Sequence, residues 1–270
     1  MLNFFTMLII GERINATRKQ IGLAIEKKDG DFIQQEAEKQ VAAGANYLDL
    51  NAGLHSEREK DDLLWVIEKV QKVIEVPLCL DSANPTALQE GLKNCKKTPM
   101  INSINGEEKK IEAFLSLLKS YQGEIIALTM DDKGIPETVE QRLRITEKLV
   151  KILNEKGIKN EQIYIDPLAQ PLSVNQKFAL QFLEAVKLIK ATFPKIKTIC
   201  GLSNISFGLP QRKSINQAFI ILAIEAGLDS AILDPLDKEL ISSVYTGEAL
   251  LDKDEYCLKY IKAFREGKIR

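Results

Sequence analysis

Polar side chains stand at the ends of short apolar runs, and their types could do chemistry together. A buried parallel strand reads as a continuous apolar run, and a carboxylate or amide at its end is costly in a core unless it is paired. The same arrangement recurs at the ends of successive runs, so we expect one polar site assembled from many segments. The residues concerned are Glu12, Asn15, Asp49, Asn51, Asp81, Asn102, Asp166, Ser203 and Asn204.

This set is rich in carboxylates and amides and poor in nucleophiles and bases. Ionised Asp81 and Asp166 accept hydrogen bonds, whereas Asn102 and Asn204 both donate and accept. Such an inventory suits a flat heterocycle with an alternating donor and acceptor edge, such as a pterin or a purine. A carboxylate opposite an N–C–N edge forms two parallel charge-assisted hydrogen bonds. The alternative is Mg²⁺, which Asp49, Asn51, Asp81 and Asp166 could bind through oxygen.

Eight apolar runs alternate with segments whose apolar residues have the three- and four-residue spacing of helices. This alternation over most of the 270 residues predicts a single-domain (β/α)8 TIM barrel over 7–270, preceded by a short extension over 1–6. A doubly wound open sheet is the structural alternative. The predicted strands are 7–11, 46–51, 77–81, 99–102, 124–129, 162–166, 197–202 and 229–233.

The barrel gives the polar endings a common location, because active sites of such barrels lie at the carboxyl ends of the strands. Side chains alternate along a strand, so Asp49 and Asn51 should share one side, as should Cys79 and Asp81. Arg212, in the loop after the seventh strand, could hold a ligand carboxylate or steer the substrate.

Composition excludes several classes of function. The net charge of −1 gives no electrostatic case for nucleic acid or an anionic membrane surface, and no apolar run approaches the length that spans a bilayer. The start lacks the pattern of a signal peptide, so a cytoplasmic location is expected. The four cysteines form no CxxC pair and there is one histidine, so we expect no bound metal and no Ser-His-Asp hydrolase.

The sequence resembles the methyltetrahydrofolate methyltransferases of the pterin-binding barrel superfamily, and most closely those that methylate a corrinoid iron–sulfur protein in acetogenic metabolism. The folate domain of cobalamin-dependent methionine synthase carries similar segments. The resemblance runs from Met7 to about Phe264. Its segments are residues 9–15, 78–82, 100–103, 128–130, 164–167 and 201–206.

The resemblance implies transfer of the N5-methyl group of 5-methyltetrahydrofolate to the Co(I) corrinoid (cobalamin) of a separate corrinoid iron–sulfur protein, by a cytoplasmic homodimer. It implies that Asp81, Asn102 and Asp166 bind the pterin and that catalytic Asn204 hydrogen-bonds near N5. Arg212 matches a further arginine of the family. The source of the N5 proton stays open. Glu12, Asn15, Asp49, Asn51, Ser203 and Ser206 are the further candidates for lining the pocket.

Other interpretations remain open at this point. Asp81 and Asp166 could cap the following helices, Asn102 could be a satisfied loop amide, and Glu12 could form a structural ion pair. A dihydropteroate synthase-like enzyme is the main rival, although no lysine follows the seventh strand closely. Methyl donors such as a methylamine or an aromatic methyl ether, or a non-catalytic folate-binding module, are further alternatives.

Overall fold

Eight parallel strands close into a barrel in the order of the chain, with β1 paired to β8. The computed structural model describes residues 7–118 and 121–269, so the predicted extension over 1–6 lies outside the described residues. The predicted TIM barrel is confirmed. The strands are β1 Leu8–Asn15, β2 Tyr47–Asn51, β3 Leu78–Asp81, β4 Met100–Asn105, β5 Ile125–Leu128, β6 Ile163–Asp166, β7 Lys197–Gly201 and β8 Ser230–Leu233.

Helices cover the outside of the barrel. Two of them, rather than one, connect β1 to β2, because Asp29 caps a new helix by accepting a hydrogen bond from the Phe32 amide. None of the described helices is long and apolar enough to cross a membrane. They are α1 Lys19–Glu26, α2 Gly30–Ala42, α3 Glu59–Val70, α4 Pro85–Asn94, α5 Glu108–Leu118, α6 Val139–Glu155, α7 Phe178–Thr192, α8 Arg212–Ala226, α9 Lys238–Leu250 and α10 Leu258–Arg265.

Glycines follow the ends of several helices. Gly227 ends α8 with φ of 105°, in the left-handed region that favours glycine. Gly44 and Gly157 have the same sign of φ just beyond α2 and α6. Each glycine turns the chain back towards the next strand.

A layer of apolar side chains fills the middle of the barrel. Alternation along the strands brings them inward, so the barrel is a packed core and not a pore. Above this layer, at the carboxyl ends of the strands, the inward positions become polar. The buried members of the layer are Ile10, Cys79, Met100, Ile126, Tyr164 and Ile199.

Two strands extend beyond the predicted bounds. β1 continues to Asn15 and β4 to Asn105, and each contains a shift in register against its neighbour. The shifts insert one extra residue, as in a β-bulge, and bulges of this kind occur at barrel rims and beside active sites. They allow pairing to continue after the apolar run has ended.

Candidate active site

Carboxylates and amides from β2, β3 and β4 pair across the inner face of the barrel mouth. The Nδ2 of Asn51 on β2 donates to Oδ2 of Asp81 on β3 at 3.0 Å. The Nδ2 of Asn102 on β4 donates to Oδ1 of Asp49 on β2 at 3.1 Å. These four residues therefore form two amide–carboxylate pairs, which bring donors and acceptors together at the mouth, as a heterocycle edge requires.

Asp49 is the most deeply buried acid of this surface, at 4% exposure. Burial, and then the negative charge of Asp81, raise its pKa to about 8, although the hydrogen bond from Asn102 opposes the shift. Burial raises the pKa of Asp81 as well. Two neighbouring carboxylates are costly to ionise together, so burial and the charge of Asp81 favour the protonated form of Asp49.

Asp166 lies at the carboxyl end of β6, where burial raises its pKa to about 7. Its Oδ1 accepts a hydrogen bond from the amide of Leu168 at 2.7 Å. Leu168 adopts φ of 66°, which is uncommon for a residue with a bulky side chain. The local backbone thus takes a strained turn that directs an N–H group at this carboxylate.

Asn204 lies in a short 3₁₀ turn, Leu202–Ser206, directly after β7. Its side chain is exposed, and its amide lies over Gly201. A Cβ at position 201 would stand 3.2 Å from the Asn204 Nδ2, which is tighter than ordinary van der Waals contact. Gly201 therefore leaves room for the Asn204 side chain at the mouth.

Arg212 is the first residue of α8, and its guanidinium turns back onto the same 3₁₀ turn. Its Nη2 donates to the carbonyl oxygen of Ser203 at 2.7 Å, and its Nε donates to Oγ of Ser206 at 3.1 Å. The hydroxyl of Ser206 in turn donates to the Ser203 carbonyl at 3.2 Å. In this structure Arg212 therefore holds the segment that carries Asn204 in place through its hydrogen bonds to both serines.

Glu12 lies in the bulge of β1 and its carboxylate reaches the turn after β7, whereas the Asn15 side chain bonds within its own turn. Arg18 approaches Oε1 of Glu12 at 3.3 Å, and the Ser203 hydroxyl donates to Oε2 over a long 3.5 Å. Burial raises the pKa of Glu12 despite the charge of Arg18. Asn15 instead accepts from the amide and the hydroxyl of Thr17, at 3.0 and 2.7 Å. Glu12 thus has the predicted ion pair, and Asn15 stabilises a local turn.

The helix-capping alternatives do not hold for Asp81 and Asp166. Asn84 caps α4 by accepting from the amides of Thr86 and Ala87, and α7 starts well beyond Asp166, after Lys177. The magnesium alternative finds no support in the geometry. No group of three or more histidine, cysteine, aspartate or glutamate side chains suited to a metal ion occurs in the described part of the chain.

The family of pterin binding enzymes matches residues 11–234, which include every residue of this mouth. The chain belongs to the pterin-binding enzymes. The resemblance to the pterin-binding barrel enzymes is thereby confirmed at the level of the family.

Two curated relatives of this pterin-binding enzyme show a more specific similarity within the family. It is 40% identical to the methylcorrinoid:tetrahydrofolate methyltransferase of Eubacterium limosum, over 97% of this chain and 98% of that protein. It is 31% identical to the methionine synthase of Mycobacterium leprae over 84% of this chain, which corresponds to only 20% of that longer protein.

The solved structures agree on the fold. The dihydropteroate synthase of Yersinia pestis in complex with a sulfonamide drug superimposes with a TM-score of 0.70, covering 93% of this chain and 96% of that one. The identity is 15%, so this similarity shows the barrel and carries no argument about the reaction.

An ion-pair network at the mouth of this pterin-binding enzyme was missed by the sequence analysis. Arg13 on β1 bonds Glu36 of α2 through Nε and Asp234 through Nη1, both at 2.8 Å. Asp234 also lies 3.8 Å from Arg18, which holds Glu12. A signal for Asp234 was present, because it follows the apolar run of β8 and precedes a proline, as Asp166 does after β6.

Arg142 in α6 was also missed, and no sequence signal distinguishes it. It lies among the apolar residues of the buried face of this helix and is 1% exposed. A single arginine among apolar positions does not reveal whether its charge is buried or reaches solvent, because long basic side chains commonly extend to the surface.

Proposed function

We propose that this chain is a methyltransferase that moves a methyl group between N5 of tetrahydrofolate and the cobalt of a corrinoid. The observation that carries the proposal is the mouth itself, where carboxylates and amides alternate at the ends of β2, β3, β4 and β6. The supporting comparison is the 40% identity, over nearly the whole barrel, to the methyltransferase from Eubacterium limosum.

In this proposal Asp81, Asn102 and Asp166 bind the pterin. An ionised carboxylate matches the N–C–N edge of the ring with two parallel hydrogen bonds, and Asn102 supplies both a donor and an acceptor. Asn102 already donates to Asp49, so its amide orientation is fixed before the ligand arrives. A preorganised site of this kind holds the ring in one orientation for in-line transfer.

The chemical difficulty lies at N5, because an amine that departs with negative charge is a poor leaving group. A proton delivered to N5 lets the nitrogen depart as a neutral amine, and a strong hydrogen bond there stabilises the charge as it develops. The Co(I) electron pair forms the new cobalt–carbon bond, and the electron pair of the broken carbon–nitrogen bond stays on N5. Asn204 is the proposed donor to N5, and its contact strengthens as charge develops there.

Asp49 is the best-supported store for the proton. Burial and the charge of Asp81 raise its pKa to about 8, which favours the protonated form at neutral pH, and it lies beside the amide of Asn102. A group whose pKa lies near the working pH can both give and regain a proton. The route from Asp49 to N5 involves either a water molecule or a neighbouring side chain.

The direction written in the name of the Eubacterium limosum relative runs from methylcorrinoid to tetrahydrofolate, the reverse of the direction predicted from the sequence. Both directions pass through one transition state, so the same residues serve both. Asp49 protonates N5 in one direction and accepts the proton in the other.

The acceptor in this proposal is a corrinoid carried by a separate protein. The relative from Eubacterium limosum supports this, because the match spans 98% of its length with one barrel. An iron–sulfur protein as the carrier, a homodimeric assembly, a place in acetogenic metabolism and a cytoplasmic location stay predictions from the sequence.

The test is a methyl-transfer assay in which the optical spectrum of the corrinoid reports the reaction. We expect the protein, mixed anaerobically with 5-methyltetrahydrofolate and Co(I) cobalamin, to convert the Co(I) spectrum to that of methyl-Co(III). Methylcobalamin and tetrahydrofolate should give the reverse change. Folate binding without transfer in either direction would contradict the proposal in favour of a binding module. Turnover of a pterin pyrophosphate instead would favour a synthase.

A further inference from the structure

Arg142 is a charged side chain buried almost completely in the wall of the barrel. It is 1% exposed, and its Nε and Nη1 have no hydrogen-bond partner. No carboxylate forms an ion pair with it among the described residues. A buried cation without a partner opposes folding, so packing alone does not account for an arginine here.

The position of Arg142 relates it to one acid of the mouth. It lies in the first turns of α6, whose amino-terminal end stands at the same end of the barrel as the strand carboxyl ends. The amide of Thr129, just after β5, donates to the carbonyl oxygen of Asp166 at 3.0 Å, and the Thr129 hydroxyl is also buried and unpartnered. Burial lowers the pKa of Arg142, and the charge of Asp166 opposes that change.

We infer that Arg142 is a positioning residue for pterin recognition, a buried positive charge that keeps Asp166 a carboxylate while the ring binds. The inference rests on the proposed function, since it deepens the role of Asp166 in that site. The ionised form of Asp166 accepts two hydrogen bonds from an N–C–N edge, whereas the protonated form loses one acceptor and the charge.

Two backbone hydrogen bonds, from the amides of Leu168 and Gly201, favour ionisation of Asp166, and the charge of Arg142 adds to them. The groups that face it are the backbone amides of Leu168 and Gly201, the guanidinium of Arg142 from α6 and the thiol of Cys200 from β7. Burial raises the pKa of Cys200 well above its usual value, so that thiol is neutral. Arg142 is therefore the cation that acts on Asp166 within the described structure, and the pKa of Asp166 is about 7 even in its presence.

A structural role and this positioning role predict opposite results for Arg142→Met. Methionine fills a similar volume without charge, and replacing a buried charge by an apolar side chain is often neutral or stabilising. A positioning role predicts a protein of undiminished thermal stability that binds folate poorly at neutral pH. A purely structural role predicts lower stability and an unchanged pH dependence of binding.

The experiment is a titration of tetrahydrofolate binding from about pH 5.5 to about pH 9. In the wild type we expect Kd to rise about tenfold per pH unit below the pKa of Asp166. In Arg142→Met the midpoint should move up by about one pH unit, which weakens binding about fivefold at pH 7, because about half of Asp166 is already protonated there in the wild type. The deficit should narrow by pH 9, and Arg142→Lys should restore much of the wild-type profile.

Lys253→Met is the matched control. Lys253 is a partly buried cation that donates to the carbonyl oxygen of Ile224 near the end of α8, at the opposite end of the barrel. Its removal should leave the binding midpoint unchanged. An unchanged midpoint in Arg142→Met would overturn the inference, whatever its stability. If that variant does not fold, the midpoint of Arg142→Gln decides in the same way. A wild type that fails to bind tetrahydrofolate would instead refute the proposed function.

Discussion

Asp49 and Asp166 lie at the same barrel mouth, and their neighbours give them different properties. Asp49 stands beside a second carboxylate, Asp81, and its pKa is raised to about 8. Asp166 has the Leu168 amide and the positive charge of Arg142 nearby, and its pKa is about 7. Pairs of acids whose environments separate their pKa values commonly divide the acid and acceptor roles. Here the charge of Asp81 favours the protonated form of Asp49, the proposed proton store, whereas the amides of Leu168 and Gly201 and the charge of Arg142 favour the ionised form of Asp166, the proposed acceptor for the ring.

Asn204 carries the sharpest prediction at the level of a single residue. We expect Asn204→Ala to lower the single-turnover rate of methyl transfer by about 10²-fold, because one donor to a charge that develops in the transition state is lost. Folate affinity should change much less, since the contact strengthens only as charge appears. Stopped-flow spectroscopy of Co(I) loss measures the rate, and equilibrium titration measures the affinity.

The control for this variant is Asn15→Ala. Asn15 bonds Thr17 within its own turn at the rim, so its loss should leave the transfer rate close to that of the wild type. An Asn204→Ala enzyme that transfers methyl at the wild-type rate would remove Asn204 from the mechanism.

Some residues of the site were predictable from sequence because each follows an apolar run directly. Asp81, Asn102 and Asp166 are of this kind, and the alternation of side chains along each strand was enough to direct them inward. Arg142 was not predictable, because its significance depends on a neighbour from another element. Burial without a partner is a property of three-dimensional packing and leaves no mark on the local pattern.

At the level of elements, the turn between β7 and α8 is held by the fork of Arg212, which spans Ser203 and Ser206. The sequence suggested a ligand-binding or steering role for this arginine. The structure gives it partners within the protein, so we expect its main effect to be on the geometry of Asn204. Replacing Arg212 by lysine distinguishes these two roles, because lysine keeps the charge but has no planar fork.

We therefore expect Arg212→Lys to lower kcat for methyl transfer about tenfold with little change in KM, because a loosened turn misplaces the amide of Asn204. Steady-state kinetics with varied methyltetrahydrofolate separates the two parameters. The neighbouring Lys213 is exposed and pairs with Asp237, so Lys213→Met should behave as the wild type. Full activity of Arg212→Lys would favour the charge-based role instead.

The strands show where sequence patterns stop being informative. β2, β3 and β6 end where their apolar runs end, and their bounds were predicted to within one residue. β1 and β4 run further because bulges let polar residues remain in the sheet. A bulge breaks the alternation on which the prediction relies, so the pattern cannot show that pairing resumes after it.

At the level of the whole molecule, the two ends of the barrel interior differ in how well their polar groups are satisfied. At the amino-terminal end, Glu124 accepts hydrogen bonds from the hydroxyls of Tyr47 and Tyr164 and from the ammonium of Lys197, at 2.7 to 2.9 Å. At the mouth, burial raises the pKa of Asp49, Asp81, Asp166 and Glu12. The hydrogen bonds at the amino-terminal end close the barrel, whereas the acids at the mouth are available to hydrogen-bond a ligand.

The raised pKa of the acids at the mouth predicts a cost in stability that depends on pH. The pKa of Asp49 is near 4 in the unfolded chain and about 8 in the folded one, so the folded state binds more protons between those values. Its contribution to the free energy of unfolding is therefore greatest at low pH and is lost as pH rises through that window, by up to about 1.4 kcal/mol per pH unit.

Asp49→Asn removes this titration while keeping an acceptor for the Asn102 amide. We expect the variant to match the wild type near pH 4 to 5, to become progressively more stable than it towards pH 8, and to gain nothing further above that pH. Urea unfolding followed by circular dichroism across this range measures the difference. A stability difference independent of pH would show that Asp49 is not protonated in the folded enzyme, and its proposed role as the proton store would fail with it.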